Sequence, residues 1–162
     1  GLIVLSDINQ NMLEEGRDRL INEGIEGINL AQIDAQLIPF KDDTFDLVTI
    51  AFGLRNVTDK DKALRSILGS LKNGGKLVVL EFSRPTNEIF RELYDLFSFE
   101  VIPKIGDFIA KTEESYRYLA ESIRMHPTQE ELKTMMEDAG FKNCTYDNLT
   151  NGIVAIHSGT KG

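Results

Sequence analysis

Two acids and a cation–amide pair have the types and spacing to do chemistry in this chain. Asp7 closes one apolar run and Asp34 closes another. Carboxylates just past strand ends can accept hydrogen bonds from ribose hydroxyls or an adenine amino group, which suits a nucleoside cofactor. The same acids can equally cap the segments that follow them, and spacing alone does not choose. Arg55 and Asn56 follow the β-branched run at residues 45–52 and Gly53. The carboxyl end of a buried strand is where open α/β sheets place ligand chemistry. An Arg there needs a partner, either an anionic oxygen of a ligand or a distant Asp or Glu in a structural ion pair. His126 precedes Pro127 and reads first as a helix-end residue whose imidazolium meets the last carbonyls; a catalytic base is the competing reading. His157 and Cys144 read as structural residues.

An alternation of strands and helices must position these groups. Residues 1–7 form an apolar run that reads as a buried strand. A helix follows from about Asn11, with Met12, Leu13, Gly16 and Leu20 on one face, a capping-box spacing at Asn11 and Glu14, and Gly24 as its stop. A second strand, INLAQID, ends at Asp34 and Ala35. Pro39 and the Lys41, Asp42, Asp43 cluster turn the chain into the strand at residues 45–52, whose composition predicts burial on both faces. Ala63, Leu64, Ile67, Leu68 and Leu71 make a helical stripe that Asn73, Gly74 and Gly75 should end, and residues 76–82 form another buried strand. The link at residues 36–43 is too short for a helix, so it must be a compact loop or join strands that are not neighbours.

The second half changes character. Ile89, Phe90, Leu93, Tyr94, Phe97 and Val101 keep helical spacing, and further apolar residues predict cover on more than one side. Pro103 and Gly106 break that helix. Two more helices are expected at about 113–125 and 128–139, with Gly140 as a cap. Residues 141–149 and 153–158, joined through Asn151 and Gly152, give the strongest hairpin signal in the chain.

With 162 residues, 41% of them hydrophobic, the chain suits one α/β domain. The net charge of −8 repels a phosphate backbone, which argues against nucleic acid as a partner. A single cysteine excludes an internal disulfide and a thiolate zinc cluster, and no metal site is expected. The run at 86–111 has the apolar excess to touch a membrane from one side or to hold a prenyl tail.

The motifs LSDIN, LIPF, FDLVTIAFGLRNVTDKDKALR, LKNGGKLVVLEFS and SYRYLAESIRMHP together resemble the UbiE/Coq5 C-methyltransferases of ubiquinone and menaquinone synthesis over nearly the whole chain. The resemblance implies a Rossmann-like class I S-adenosylmethionine-dependent methyltransferase fold with a C-terminal β-hairpin. It also implies a helical insertion on the substrate side at residues 84–127. Asp7 matches the acid expected at the ribose of S-adenosylmethionine, and Asp34 and Ala35 match the pair expected at the adenine. Ala51 stands at the methionine end, where relatives often carry Ser. Arg55 and Asn56 match the quinone side, and the proton acceptor is open between His126, a tyrosine such as Tyr116, and water. The implied substrate is a prenylated benzoquinol or demethylmenaquinol.

The implied place is the cytoplasm, peripheral to the inner membrane, or the matrix side in a mitochondrion. A homodimer is expected. No G-x-G loop occurs in the sequence, and the family's first, central strand has no counterpart. The chain is therefore expected to be truncated at its start and to bind S-adenosylmethionine weakly. The strand flanks at residues 3–5 and 47–50 should then pair in a dimer or in a rearranged sheet. A dinucleotide-dependent oxidoreductase and a non-catalytic fragment are the alternatives.

Overall fold

A computed structural model of the chain describes residues 1–85 and 113–162, with side chains described for 1–85 and 117–162. The long apolar helix expected from Thr86 and the Tyr116 side chain lie outside the described residues. The first unit is β1 (Ile3–Asp7), α1 (Gln10–Asn22) and β2 (Ile28–Gln32), with β1 and β2 parallel and Asp7 opposite Gln32. Helix α1 starts one residue before the expected position. Asn9, not Asn11, is its N-cap, accepting the Asn11 N–H on its side chain at 2.9 Å. Leu13 is the buried anchor of α1 and Met12 is exposed, so the packing face is narrower than the sequence pattern predicts.

The second sheet has the order β3–β4–β6–β5: β3 (Phe45–Ala51) parallel to β4 (Leu71–Phe82), and β4 antiparallel to β6 (Val154–Thr160), which pairs with β5 (Lys142–Leu149). β2 and β3 belong to different sheets, which resolves the short link between them. Residues 33–44 form a loop docked on α2 (Lys60–Ser70), where the Ile38 N–H donates to Ser66 Oγ at 2.9 Å.

Two expectations about the centre need correction. Helix α2 ends at Ser70, and Leu71 is already extended and paired with Phe45, so Asn73, Gly74 and Gly75 lie inside β4. Between the pairs Phe45–Leu71 and Leu47–Lys76 the register shifts, and the extra β4 residues turn through Gly74 at φ +78°, a conformation open to glycine. The Gly74 N–H and Gly75 carbonyl bond to the Lys161 backbone, so the excursion is absorbed at the end of β6. Nor is β3 buried on both faces, since Leu47 is 53% exposed. It is an edge strand, and among the described residues neither β3 nor β1 has a strand on its outer side. The two edges do not pair with each other, contrary to the rearranged sheet the sequence allows.

Helix α3 (Glu113–Met125) leads through His126 and Pro127 into α4 (Gln129–Ala139). Thr128 and Glu131 form a reciprocal capping box, and Gly140 ends α4 at φ +113°. Helices α2 and α4 pack together over the four-stranded sheet, burying Leu64, Ile67, Leu77, Val79, Leu132 and Met136. Each such side chain stabilises the fold by about 1.5–3 kcal/mol. The terminal strands form the expected hairpin, closed by a 3-10 turn at Thr150–Gly152 with Asn151 at φ 56°. The core therefore lies under β3 and β4; Ala51, Arg55 and Asn56 stand at the carboxyl end of β3, and Asp7 and Asp34 at the carboxyl ends of β1 and β2.

Candidate active site at the carboxyl ends of the parallel strands

Asp7 is the last residue of β1, and its Oδ1 accepts the Asn9 N–H at 2.8 Å. Asp34 follows β2 in a turn closed by the Leu37 N–H on the Asp34 carbonyl at 2.9 Å. Its carboxylate accepts the Gln36 backbone N–H at 2.8 Å and the Gln36 side-chain amide at 3.1 Å. Those bonds, the backbone one first, hold the Asp34 carboxyl below its ordinary pKa. Gln36 is itself tied to the start of α2, its Oε1 accepting the Asp59 N–H at 3.2 Å. Both acids do shape local turns, as capping residues would. Their placement at the ends of neighbouring parallel strands also leaves lone pairs for a diol or an amino group. Acceptors of that kind fit the adenosine half of S-adenosylmethionine, with Ala35 beside Asp34 offering a small, half-buried surface.

Ala51 ends β3 and is exposed. The next residue, Phe52, takes φ 53°, a strained choice for an aromatic residue, and its N–H still bonds to the Leu80 carbonyl at 2.8 Å. That bend throws the chain into the 3-10 turn Leu54–Asn56, anchored by fully buried Leu54. Arg55 is thereby turned back over β4. Its backbone N–H donates to Glu81 Oε2 at 3.1 Å and its Nη1 to Glu81 Oε1 at 3.0 Å. Nη1 also donates to the Phe52 carbonyl, and the guanidinium lies 5.4 Å from the centre of the Phe82 ring. Nε has no partner among the described residues. Of the two partners open to Arg55 in the sequence, the structure supplies the acid.

Asn56 is exposed, and its Oδ1 accepts the Tyr118 hydroxyl at 3.0 Å. Lys60 lies behind the turn, with Nζ donating to the carbonyls of Val57 at 3.0 Å and Arg55 at 3.4 Å. Burial lowers its pKa, and the Glu81 carboxylate partly offsets that.

His126 is 2% exposed and its pKa is pushed down to about 4, first by burial and then by the neighbouring charges of Lys60, His157 and Arg55. It is therefore neutral at pH 7, which corrects the imidazolium helix cap expected from the sequence. Its Nδ1 has no partner among the described residues. His157 lies in β6, where its Nε2–H donates to the Gln129 carbonyl at 2.9 Å, the structural role expected of it. Burial raises the pKa of the Cys144 thiol, leaving it protonated in the core.

Arg55 is thus held by Glu81, with Asn56 next to it in the turn and the neutral His126 within electrostatic reach of Arg55 and Lys60, while Asp7, Asp34 and Ala35 stand on the β1–β2 side. Sequence reasoning missed Glu81, Lys60 and Tyr118. A lone acid in the apolar run KLVVLEF was the available signal for Glu81, because a buried carboxylate requires a partner. Tyr118 carried no such signal, as its helix periodicity says nothing about Asn56.

Similarity to solved structures defines the fold. A S-adenosylmethionine-dependent methyltransferase from Aquifex aeolicus superposes with a TM-score of 0.70 at 14% identity, over 100% of this chain and 70% of that one. Phosphoethanolamine N-methyltransferase 2 of Haemonchus contortus, solved with S-adenosyl-L-methionine, gives 0.70 at 14% identity, over 98% of this chain and 43% of that one. The fold is that of the class I methyltransferases. Within that class the chain belongs to the ubiE/COQ5 methyltransferase family, whose profile matches residues 1–161. It is 59% identical to the ubiquinone/menaquinone biosynthesis C-methyltransferase UbiE of Methylococcus capsulatus and 58% to that of Shewanella halifaxensis, over 99% of this chain in both cases. The chain spans 65% and 64% of the lengths of those two curated relatives.

Proposed function

We propose that this chain carries the quinol-side site, and part of the cofactor site, of a S-adenosylmethionine-dependent C-methyltransferase acting on a prenylated quinol in ubiquinone or menaquinone synthesis. The observation that carries the reading is the rigid presentation of Arg55 and Asn56 at the carboxyl end of β3, beside strands that end in Asp7 and Asp34. Family membership favours it over a dinucleotide-dependent oxidoreductase.

S-adenosylmethionine, when bound, supplies an electrophilic methyl group on a sulfonium. Asp7 and Asp34, with Ala35 beside them, would hold its adenosine half, and Ala51 would line its methionine end. On the other side, a phenolic proton leaves the quinol and enriches the neighbouring ring carbon. Arg55 and Asn56 donate hydrogen bonds to the oxygen that becomes phenolate, a stabilisation already in place before the charge develops. The ring carbon would take the methyl group, the carbon–sulfur electron pair staying on sulfur, and loss of the ring proton to water or a tyrosine would restore aromaticity. The chain need only align the two within about 3–3.5 Å. His126, neutral but surrounded by three cationic or ionisable neighbours, is a poor place to put that proton, which favours water or a tyrosine as acceptor.

The finer reading includes a homodimer and a peripheral, apolar contact with the membrane that holds the prenyl tail, on the cytoplasmic or matrix face. Among the described residues no helix is long and apolar enough to cross a bilayer. The test is methyl transfer from labelled S-adenosylmethionine to demethylmenaquinol and to a prenylated methoxy-benzoquinol, with product mass as the readout. Methyl on a ring carbon supports the proposal; methyl on oxygen, or reduction of NAD without transfer, overturns it.

A further inference from the structure

We propose that Tyr118 is a positioning residue that fixes the Asn56 amide with its nitrogen free to donate, so that the site favours the ionised, phenolate form of the ring it binds. The proposal rests on the reading above and adds to it the protonation state of the substrate. Tyr118 comes from α3, far in sequence from the turn that carries Asn56, and α3 packs against that turn. Its ring is 59% exposed, so burial of the ring does not explain its placement. Its one polar atom is spent on Asn56, the hydroxyl donating to Oδ1 at 3.0 Å.

A carboxamide has one acceptor oxygen and one nitrogen with two donors. Left alone on an exposed turn, the Asn56 amide could present either end to a ligand. With Oδ1 engaged by the Tyr118 hydroxyl, the amide is held in one orientation, and its end without a partner among the described residues is Nδ2, which can only donate. Arg55, one residue earlier, is donor-only by nature, and its Nε is unpartnered among the described residues. A neutral phenol must turn its own proton away from such a pair and offers it only an uncharged oxygen. A phenolate oxygen brings only lone pairs and can accept from both. Bonds to a charged acceptor are also stronger than neutral ones, so the orientation of one amide becomes a preference for the anion.

The preference can be read without any methyl transfer. Para-nitrophenol is a suitable probe, because its phenolate absorbs in the visible and reports the ionisation state of the bound molecule. The full chain should bind the phenolate in preference and pull its apparent pKa down. Tyr118→Phe, which removes only the hydroxyl, should lose about tenfold of that preference, or about one pH unit. Asn56→Asp keeps an acceptor for Tyr118 but presents a second one to the ligand, and should abolish phenolate binding. If the wild-type chain shows no preference, or if Tyr118→Phe lowers the melting temperature while the preference stays, Tyr118 is only a tether for α3 and the inference is overturned.

Transfer kinetics form a separate arm. In Tyr118→Phe, kcat should fall about tenfold and its acid limb should move to higher pH, with S-adenosylmethionine affinity unchanged. Absence of any transfer by the wild-type chain would count against the proposed activity, and the nitrophenol result would still decide the role of Tyr118.

Discussion

Glu81 holds Arg55 at two points, one carboxylate oxygen on its backbone N–H at 3.1 Å and the other on its guanidinium at 3.0 Å. The acid is 1% exposed and the base 12%, so both charges sit in nearly dry surroundings. The Glu81 Oε1 also accepts the Phe82 N–H at 2.9 Å, which spreads the carboxylate over three donors. Breaking a buried pair by removing one member leaves the other uncompensated, at a cost of about 3–5 kcal/mol. Arg55→Ala should therefore lower unfolding stability by that order in urea titration, Glu81→Ala by a similar amount, and the double substitution by clearly less than the sum. Strict additivity would show that the pair carries no coupling.

The same pair shapes an expectation about activity. Arg55→Ala should depress turnover while S-adenosylmethionine affinity, measured on protein kept well below its unfolding transition, stays nearly intact. Equal loss of both would move Arg55 out of the quinol site. Arg55→Lys should recover stability better than turnover, since an ammonium can pair with Glu81 but lacks the planar, multi-donor fork of the guanidinium.

His126 ties stability to pH with a definite sign. Its pKa falls from 6.5 to about 4 in the folded chain. Between those values the unfolded chain binds the extra proton, so the contribution is fully present above pH 6.5 and is lost as pH falls through 4. The size is on the order of 3 kcal/mol. His157 is shifted in the same direction by burial. His126→Asn should flatten, without abolishing, the rise in stability between pH 4 and 6.5. An unchanged slope in pH-dependent urea unfolding would place the titration elsewhere.

On the cofactor side, Asp34→Asn keeps the shape of the turn and removes the charge. A hydrogen bond involving a charged group contributes about 1.5–3 kcal/mol, so calorimetry should show S-adenosylmethionine affinity weakened by tenfold or more. The turn should survive, because the Gln36 N–H can still donate to the amide oxygen. Full affinity in Asp34→Asn would return this acid to a purely local role.

How much of this was legible in the sequence depends on the range of the interaction. The helix expected at 128–139, its αL cap at Gly140 and the terminal hairpin are written in residues a few positions apart, and they fold as the pattern says. The end of α2 was misplaced because Asn73, Gly74 and Gly75 make an ordinary helix stop, whereas pairing of Leu71 with Phe45 in the parallel ladder pulls the chain into β4 sooner. The burial of residues 45–52 was overestimated because a β-branched run reports what a strand can bury, not which neighbours it has. In the site, Arg55 and Asn56 were found from their place after a strand. Their partners Glu81 and Tyr118 lie 26 and 62 residues away, and no local spacing encodes them.

The proposed membrane contact rests on the apolar segment at residues 86–111 and on a net charge of −8. An acidic protein is repelled by anionic lipid, so its attachment should be apolar and nearly insensitive to salt. Flotation with vesicles of neutral and of anionic lipid should give similar binding at low and high ionic strength. Collapse of binding on adding salt would point to a basic patch instead.

The last expectation concerns the two open edges. β1 presents Ile3 and Leu5, 57% and 39% exposed, and β3 presents Leu47 at 53%, each on a strand whose outer N–H and C=O groups have no partner strand among the described residues. Backbone groups on such an edge can pair with any extended segment, and apolar side chains beside them add area to the contact. A second copy of the chain offers the same edges at equal concentration, which is the physical basis of the proposed homodimer. Natural edges are blunted by an inward charge, so Leu47→Lys on β3, or Ile3→Lys on β1, should weaken self-association without touching the core beneath α2 and α4. Sedimentation velocity over a range of concentrations should show the wild-type chain as a dimer in exchange with monomer, and either Lys variant shifted toward monomer. A wild-type chain that stays monomeric at high concentration, with both edges left open, would sink the homodimer.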